Sequence, residues 1–163
     1  MSRVRTGFYW LPLSLFIAVL LGLLPLPEMI APLRPYFLGM VAVYWLLEMP
    51  ERFGMGAAFA TGLLGDLVYG TLIGEQALRL TVLAFIVQRF RARLRFFPMG
   101  QQSVAVFALL VNDRVVAAAV RFALGEGVPR WPFWLSPLLV LPLWPWMVLS
   151  FDVLRTRARE RRP

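Results

Sequence analysis

The chain has 163 residues, 60% of them hydrophobic, and a net charge of +8 from 17 basic and 9 acidic residues. Its apolar residues come in long blocks, which predicts a polytopic, all-α membrane protein. Cysteine and histidine are absent, so thiol nucleophiles, disulfides, the usual zinc sites and Ser-His or Cys-His pairs are excluded. The arginines lie mostly at block ends, where they orient membrane helices, so we expect a lipid bilayer and no nucleic acid as partner, and no cofactor or metal.

Six apolar blocks predict a bundle of six transmembrane helices, at about residues 8–24, 36–47, 53–72, 76–87, 99–124 and 133–154. The first block ends in Pro25-Leu26-Pro27 without a small-x-small cleavage site, so we expect a retained helix and not a signal peptide. The second reaches only about 18 Å at 1.5 Å per residue, against a bilayer core of about 30 Å. The fourth is also short. Because no loop is long enough to fold separately, residues 1–163 are predicted to form one membrane-embedded domain.

Topology follows from the distribution of arginine. If Arg3 and Arg5 are cytoplasmic, six crossings place the arginines of residues 89–95 and the basic C-terminal residues in the cytoplasm as well. If the short second segment did not cross, residues 89–95 would lie outside, against the positive-inside rule. We therefore predict a multi-pass protein with both termini in the cytoplasm.

The third segment combines one acid with small residues at helical spacing. These residues are Gly62, Gly65, Asp66, Gly70 and Gly74. A charge in hydrocarbon costs roughly 2.5–3.5 kcal/mol, so Asp66 should face protein or water. A recurrence every four residues forms a stripe along one helix, where glycines let another backbone approach closely. The stripe predicts either packing inside the bundle or a face that binds a partner or ligand. For the packing alternative, the polar neighbours expected for Asp66 are Thr61, Arg79 and Arg114.

A second polar group, Asn112-Asp113-Arg114, interrupts the fifth segment. Adjacent helix positions diverge by about 100°, so Asp113 and Arg114 should bind other helices and not each other. One alternative is a structural ion pair of Asp113 with Arg79, or a contact with Asp66. The other is a polar cavity lined by Asp66, Arg79, Asn112, Asp113 and Arg114.

Two intramembrane aspartates raise the possibility of an aspartyl protease, in which paired carboxylates activate water. Such enzymes carry Gly-x-Gly-Asp, and this chain has Leu63 in place of the first glycine. A proton relay or transporter would use the acids too, but no second half resembling the first is visible. We therefore expect no catalytic residues.

The run Arg89, Arg91, Arg93 and Arg95 alternates with apolar residues in the predicted loop after the fourth segment. Arginines there can bind anionic headgroups while neighbouring phenylalanines enter the interface. The run predicts either a topology anchor in contact with lipid headgroups or a docking site for a cytoplasmic protein.

Across residues 35–102, several short motifs occur in a recognisable order. They are Tyr44-Trp45, Pro50-Glu51-Arg52, Gly56, Gly62-Leu63-Leu64, Asp66, Gly70, Gly74, Ala77-Leu78, Phe97-Pro98 and Gln101-Gln102. In order and spacing they resemble the MreD family of bacterial rod shape-determining membrane proteins. The first and last segments match that family only as apolar helices, and Asn112-Asp113-Arg114 has no place in the family pattern.

The resemblance implies a non-enzymatic scaffold of the cell-elongation (rod) complex in the bacterial inner membrane, where it supports peptidoglycan synthesis and cell shape. The implied partners are MreC, RodA and a penicillin-binding transpeptidase, with MreB filaments reached indirectly. The implied fold is similar to the substrate-binding subunits of energy-coupling-factor transporters, which leaves a vitamin-like ligand binder as the alternative function. Such a binder would need a sizeable polar pocket open to the outside, and the predicted outer loops are short and carry few polar groups, which favours the scaffold.

Overall fold

The computed structural model describes residues 9–160, apart from the side chains of residue 32 and of residues 155–160. This range contains six α-helices and no strand, which confirms the predicted all-α class. The helices are α1 (Trp10–Leu23), α2 (Phe37–Glu48), α3 (Met55–Tyr69), α4 (Glu75–Leu94), α5 (Met99–Ala123) and α6 (Val140–Glu160). Three short 3-10 helices span Ala31–Leu33, Trp131–Trp134 and Ser136–Leu139. Arg3, Arg5 and the side chains of the basic C-terminal residues lie outside the described residues.

Helix α2 is the centre of the bundle. All its residues from Leu38 to Leu47 are buried, whereas each of the other five helices exposes large apolar side chains. The indole of Trp45, fully buried, donates its Nε1 hydrogen bond to Ser14 Oγ of α1 at 2.7 Å. A helix enclosed by protein meets no hydrocarbon along its sides, so α2 need not have the roughly 20 apolar residues of a lipid-facing helix.

Helix α3 ends earlier than the sequence predicts. The expected segment runs to residue 72, but the helix stops at Tyr69, and Gly70 takes a left-handed conformation with φ of 63°. Gly74, the residue before α4, also has a positive φ, of 104°. Both glycines therefore belong to the turn between α3 and α4, where left-handed backbone favours glycine. The prediction that they continue the stripe of α3 is wrong.

Helix α4 is longer than the sequence predicts. Its 20 residues extend through Leu94, so Arg89, Arg91 and Arg93 lie on a helix and not in a loop. The prediction was wrong because it ended the helix where the apolar block ends, whereas arginine is itself a good helix former. The Nε of Arg91 donates a hydrogen bond to the carbonyl of Leu47 at 2.9 Å, which fastens this end of α4 to the last turn of α2.

Within residues 9–160, two spans are long and apolar enough to cross a membrane. One is α5, Met99–Ala123, with a mean hydropathy of 1.8, and the other is Trp131–Leu154, with 1.6. In the most apolar 18-residue stretch of each span, only 33% and 17% of the residues are buried, so the remaining residues there are at least partly exposed. Helices α1, α2 and α3 are apolar but shorter. The second span starts in the 3-10 helices, and Pro145 inside α6 removes one backbone donor from the helix.

Candidate functional site

Asp66 caps the start of α4. Its carboxylate is buried and accepts hydrogen bonds at 2.8 Å from the backbone N–H groups of Gly74 and Gln76, and at 3.4 Å from that of Ala77. The hydroxyl of Thr71 donates a further bond at 2.8 Å. The first N–H groups of a helix have no partner within the helix and carry partial positive charge, so a carboxylate there is well stabilised.

The partners expected for Asp66 are bound elsewhere. Thr61 donates its hydroxyl to the Ala57 carbonyl, one turn earlier in α3. The guanidinium groups of Arg79 and Arg114 bind Asp113 and Ser136. Sequence reasoning placed Asp66 in mid-helix among side chains, whereas the end of α3 at Tyr69 brings it to the backbone of the next helix.

The glycines of α3 make the close approach that their spacing predicts, and they make it within the chain. A Cβ atom added at Gly62 would come within 3.0 Å of the backbone of Ala77 in α4. One added at Gly65 would lie 3.3 Å from the side chain of Leu38. Gly62, Gly65 and Asp66 are all buried in these contacts, whereas Cβ atoms at Gly70 and Gly74 would meet nothing within 4 Å.

Asp113 and Arg79 form a buried, two-bond ion pair between α5 and α4. The Nε of Arg79 donates to Oδ1 of Asp113 at 2.9 Å, and its second nitrogen donates to Oδ2. The same guanidinium lies 3.8 Å from the carboxylate of Glu75 and 4.3 Å from the ring centre of Tyr36. Of the partners that the sequence offers Asp113, the structure therefore selects Arg79.

Asn112 and Arg114 point away from this pair, as their helix positions predict. Arg114 donates to the Oγ of Ser136 and to the backbone carbonyl of Arg34, and its guanidinium lies 4.6 Å from the ring centre of Phe133. The side-chain nitrogen of Asn112 is buried and makes no hydrogen bond with any described residue.

A cavity of about 790 Å³ opens at the end of the bundle where α1 and α3 finish and α2 and α4 begin. Five arginines line it: Arg34, Arg79, Arg114, Arg121 and Arg130. Its other polar lining residues are Tyr36, Tyr69, Thr71 and Gln76. Within the described part of the chain, no aspartate or glutamate lines it. Arg34 and Arg130, from connections between helices that were expected to carry few polar groups, therefore contribute to this cavity.

The cavity differs in composition from the predicted one. Arg79 and Arg114 line it, but Asp66, Asn112 and Asp113 do not. Sequence reasoning missed Arg34, Arg121 and Arg130, two of which lie in connections between helices. One signal was available, because Arg121 follows Arg114 by two helical turns and so shares its face.

The arginine run forms the other basic feature, at the far end of α4. Arg91 is bound to the Leu47 carbonyl, whereas Arg89, Arg93 and Arg95 are exposed. The exposed members are available to lipid headgroups or to a cytoplasmic protein, the two alternatives that the sequence leaves open.

Comparison with known proteins supports the family resemblance that the motifs in residues 35–102 indicate. A family model described as rod shape-determining protein MreD matches residues 2–153. A rod shape-determining protein MreD from Haemophilus influenzae is 31% identical over 148 residues, which cover 90% of this chain and 91% of that protein. No solved structure matches the chain significantly.

Proposed function

Because the chain belongs to the MreD family of rod shape-determining proteins, we propose that it is a non-enzymatic scaffold of the complex that elongates rod-shaped bacterial cells. The match over residues 2–153 is the observation that carries this proposal. The geometry supports it, because both buried aspartates hold helices together. Asp66 binds the start of α4 and Asp113 binds Arg79, so their lone pairs serve packing and not proton transfer.

The proposed location is the bacterial inner membrane, with six crossings, both termini in the cytoplasm, and the chain forming one membrane-embedded domain. Exposed apolar side chains on the five helices around α2 support it, as does the arginine run at one end of α4. Reporters fused after Arg95 should be cytoplasmic, and one in the 125–132 loop periplasmic. A periplasmic signal after Arg95 would show that one helix before it does not cross.

The proposed partners are MreC, RodA and a penicillin-binding transpeptidase, with MreB filaments reached through them. The predicted partner face, Gly62 to Gly74, is divided between an interior contact and a turn. We therefore assign the partner contact of this region to the exposed side of α3, where Leu64 and Leu67 are 63% and 68% exposed. In this arrangement Gly62 and Asp66 hold α3 against α4. They thereby fix the position of the exposed side of α3 that contacts the partner.

The test is complementation combined with co-purification. In a rod-shaped bacterium lacking its own MreD, the chain should restore rods and co-purify with the bitopic partner MreC. The double substitution L64A/L67A should weaken that recovery, whereas L13A/L20A, which removes two leucines of α1 that are each 47% exposed, should not. Round cells and no recovered partner, with wild-type chain inserted at normal levels, would contradict the scaffold proposal.

A second candidate function is a ligand-binding membrane subunit similar to those of energy-coupling-factor transporters. The 790 Å³ cavity is the observation that favours it, because a scaffold does not need one. A vitamin-sized molecule that co-purifies in stoichiometric amount would support this candidate. Purified protein without any such molecule, together with recovered MreC, would favour the scaffold.

A further inference from the structure

The cavity carries a strong positive charge that the protein does not neutralise. Of its five arginines, only Arg79 has carboxylates within 4 Å, those of Asp113 and Glu75. Among the described side chains, no carboxylate lies that close to Arg34, Arg114, Arg121 or Arg130. Four guanidinium groups that share one cavity repel each other, and the repulsion grows where protein displaces water.

The contacts that these arginines make hold them in place without removing their charge. Arg34 donates to the carbonyls of Gly22 and Leu24 at the end of α1. Arg114 and Arg121 lie against one ring, with guanidinium carbons 4.6 Å and 5.3 Å from the centre of Phe133. Carbonyls and an aromatic ring are neutral, so the guanidinium groups of Arg34, Arg114 and Arg121 are oriented and remain full cations.

One donor at the cavity is left without a partner. The Nε of Arg34 is buried and makes no hydrogen bond with any described residue. A buried donor without a partner is costly. Arg34 therefore keeps its positive charge at the cavity wall with one N–H that no described residue accepts.

We propose that this cavity binds a phosphate-bearing anion. Guanidinium groups donate paired N–H bonds that match phosphate oxygens, and several arginines around one anion are the usual arrangement for phosphate recognition. The hydroxyls of Tyr36, Tyr69 and Thr71 also line the cavity, but their hydrogens are donated to Gln76, Val19 and Asp66. The side chains of Leu23, Phe37 and Phe133 add apolar surface. The phosphate belongs either to a phospholipid headgroup or to a soluble phosphate, and both present the same chemistry to these arginines.

The site does not depend on the proposed scaffold function. The scaffold is tested by cell shape and recovery of MreC, whereas the site is tested on the purified chain alone. A failure of one leaves the other unchanged.

The experiment measures ligand-dependent stability. Delipidated full-length protein in an uncharged detergent is unfolded thermally while phosphatidylglycerol, phosphatidylcholine or sodium phosphate is added, with sodium chloride matching the ionic strength. Phosphatidylglycerol should raise the midpoint more than phosphatidylcholine does. If sodium phosphate alone raises it beyond the chloride control, the site takes a soluble phosphate.

Two double variants distinguish binding at the cavity from non-specific attraction of the ligand to positive charge. R121Q/R130Q removes two cavity cations, of which Arg121 is partly buried and Arg130 is exposed. This variant should bind the stabilising ligand with an affinity lower by about tenfold or more. R93Q/R95Q removes two exposed cations at the other end of α4 and should leave the affinity unchanged. The proposal is overturned if no phosphate compound stabilises the wild type, or if both pairs weaken binding equally. Since R121Q/R130Q could also disturb folding, its midpoint without ligand should match that of R93Q/R95Q.

Discussion

Two groups of arginines mark opposite ends of α4, and they differ in how the chain assembles them. The run at residues 89–95 comes from one stretch of chain, and three of its four members are exposed. The cavity arginines come from the connection after α1, from α4 and α5, and from the loop before the 3-10 helices. The first group is made by local sequence, and the second exists only in the folded protein.

Surroundings separate the two groups further. An exposed arginine keeps its hydration, so it needs no protein partner and its ion pairs contribute little. An enclosed arginine loses water and needs donors satisfied, which Arg79 obtains from Asp113 and Arg114 from Ser136. Where the groups that replace water are neutral, the positive charge of the arginine is not neutralised. The same residue type therefore stays hydrated at one end of α4 and concentrates positive charge at the other.

The sharpest way to test this comparison is to remove the counter-charge from Arg79. Asp113→Leu should lower the free energy of unfolding by about 3–5 kcal/mol, because the buried guanidinium of Arg79 loses its two-bond carboxylate partner and keeps only the 3.8 Å contact with Glu75. Denaturant or thermal unfolding in detergent measures the loss. Replacing the exposed acid Glu126 by leucine should have little effect.

The double variant R79L/D113L makes this first test decisive. Removing both charges should recover much of the stability that Asp113→Leu loses, because the main cost lies in the unpaired cation and not in the lost bond. The recovery is incomplete because Glu75, 3.8 Å from Arg79 in the wild type, then has no cation beside it. If the double variant is as unstable as Asp113→Leu, then Asp113 acts through packing, and the distinction between compensated and uncompensated arginines is weakened.

A second test displaces α4, which carries arginines of both groups. Gly62→Leu should lower the free energy of unfolding by about 1–3 kcal/mol or more, since the new side chain meets the backbone of Ala77, which cannot rotate away. Gly56→Leu is the matched control, because nothing lies within 4 Å of a Cβ at that position of α3. Equal stability of the two variants would contradict the close approach of α3 and α4.

Much of this fold could be predicted from sequence, and the failures have physical causes. Apolar blocks located all six helices, because burial and lipid exposure both require long apolar stretches. Two helix ends were misplaced because hydrophobicity does not decide them. Helix α3 ends at Tyr69 because Gly70 begins a turn, and α4 continues to Leu94 through a run of arginines. Arg79, one of the two partners considered for the Asn112-Asp113-Arg114 group, is the one that binds Asp113. The composition of the cavity was missed because Arg34 and Arg130 reach it only through the fold.

A third test affects the cavity end of α4 alone. Asp66→Asn keeps one acceptor oxygen but loses the charge and the second oxygen, so the start of α4 should be destabilised by about 1–2 kcal/mol. Hydrogen exchange measures this locally. The amides of Gln76 and Ala77 should exchange faster, while amides near the arginine run keep their protection. Faster exchange along the whole of α4 would show that Asp66 supports the helix as a unit.

The smallest expected effect lies inside the arginine run and divides it. Arg91→Ala removes the bond to the Leu47 carbonyl and should lower the free energy of unfolding by about 1 kcal/mol. Arg93→Ala removes the same charge from an exposed position and should change stability by less than the measurement error. Because both variants lose one cation from the same end of α4, an effect of charge alone would change their free energies of unfolding equally. Unequal stability with equal insertion in the membrane would show that one arginine of the run fastens α4 to α2, while its neighbour is left for headgroups or a partner.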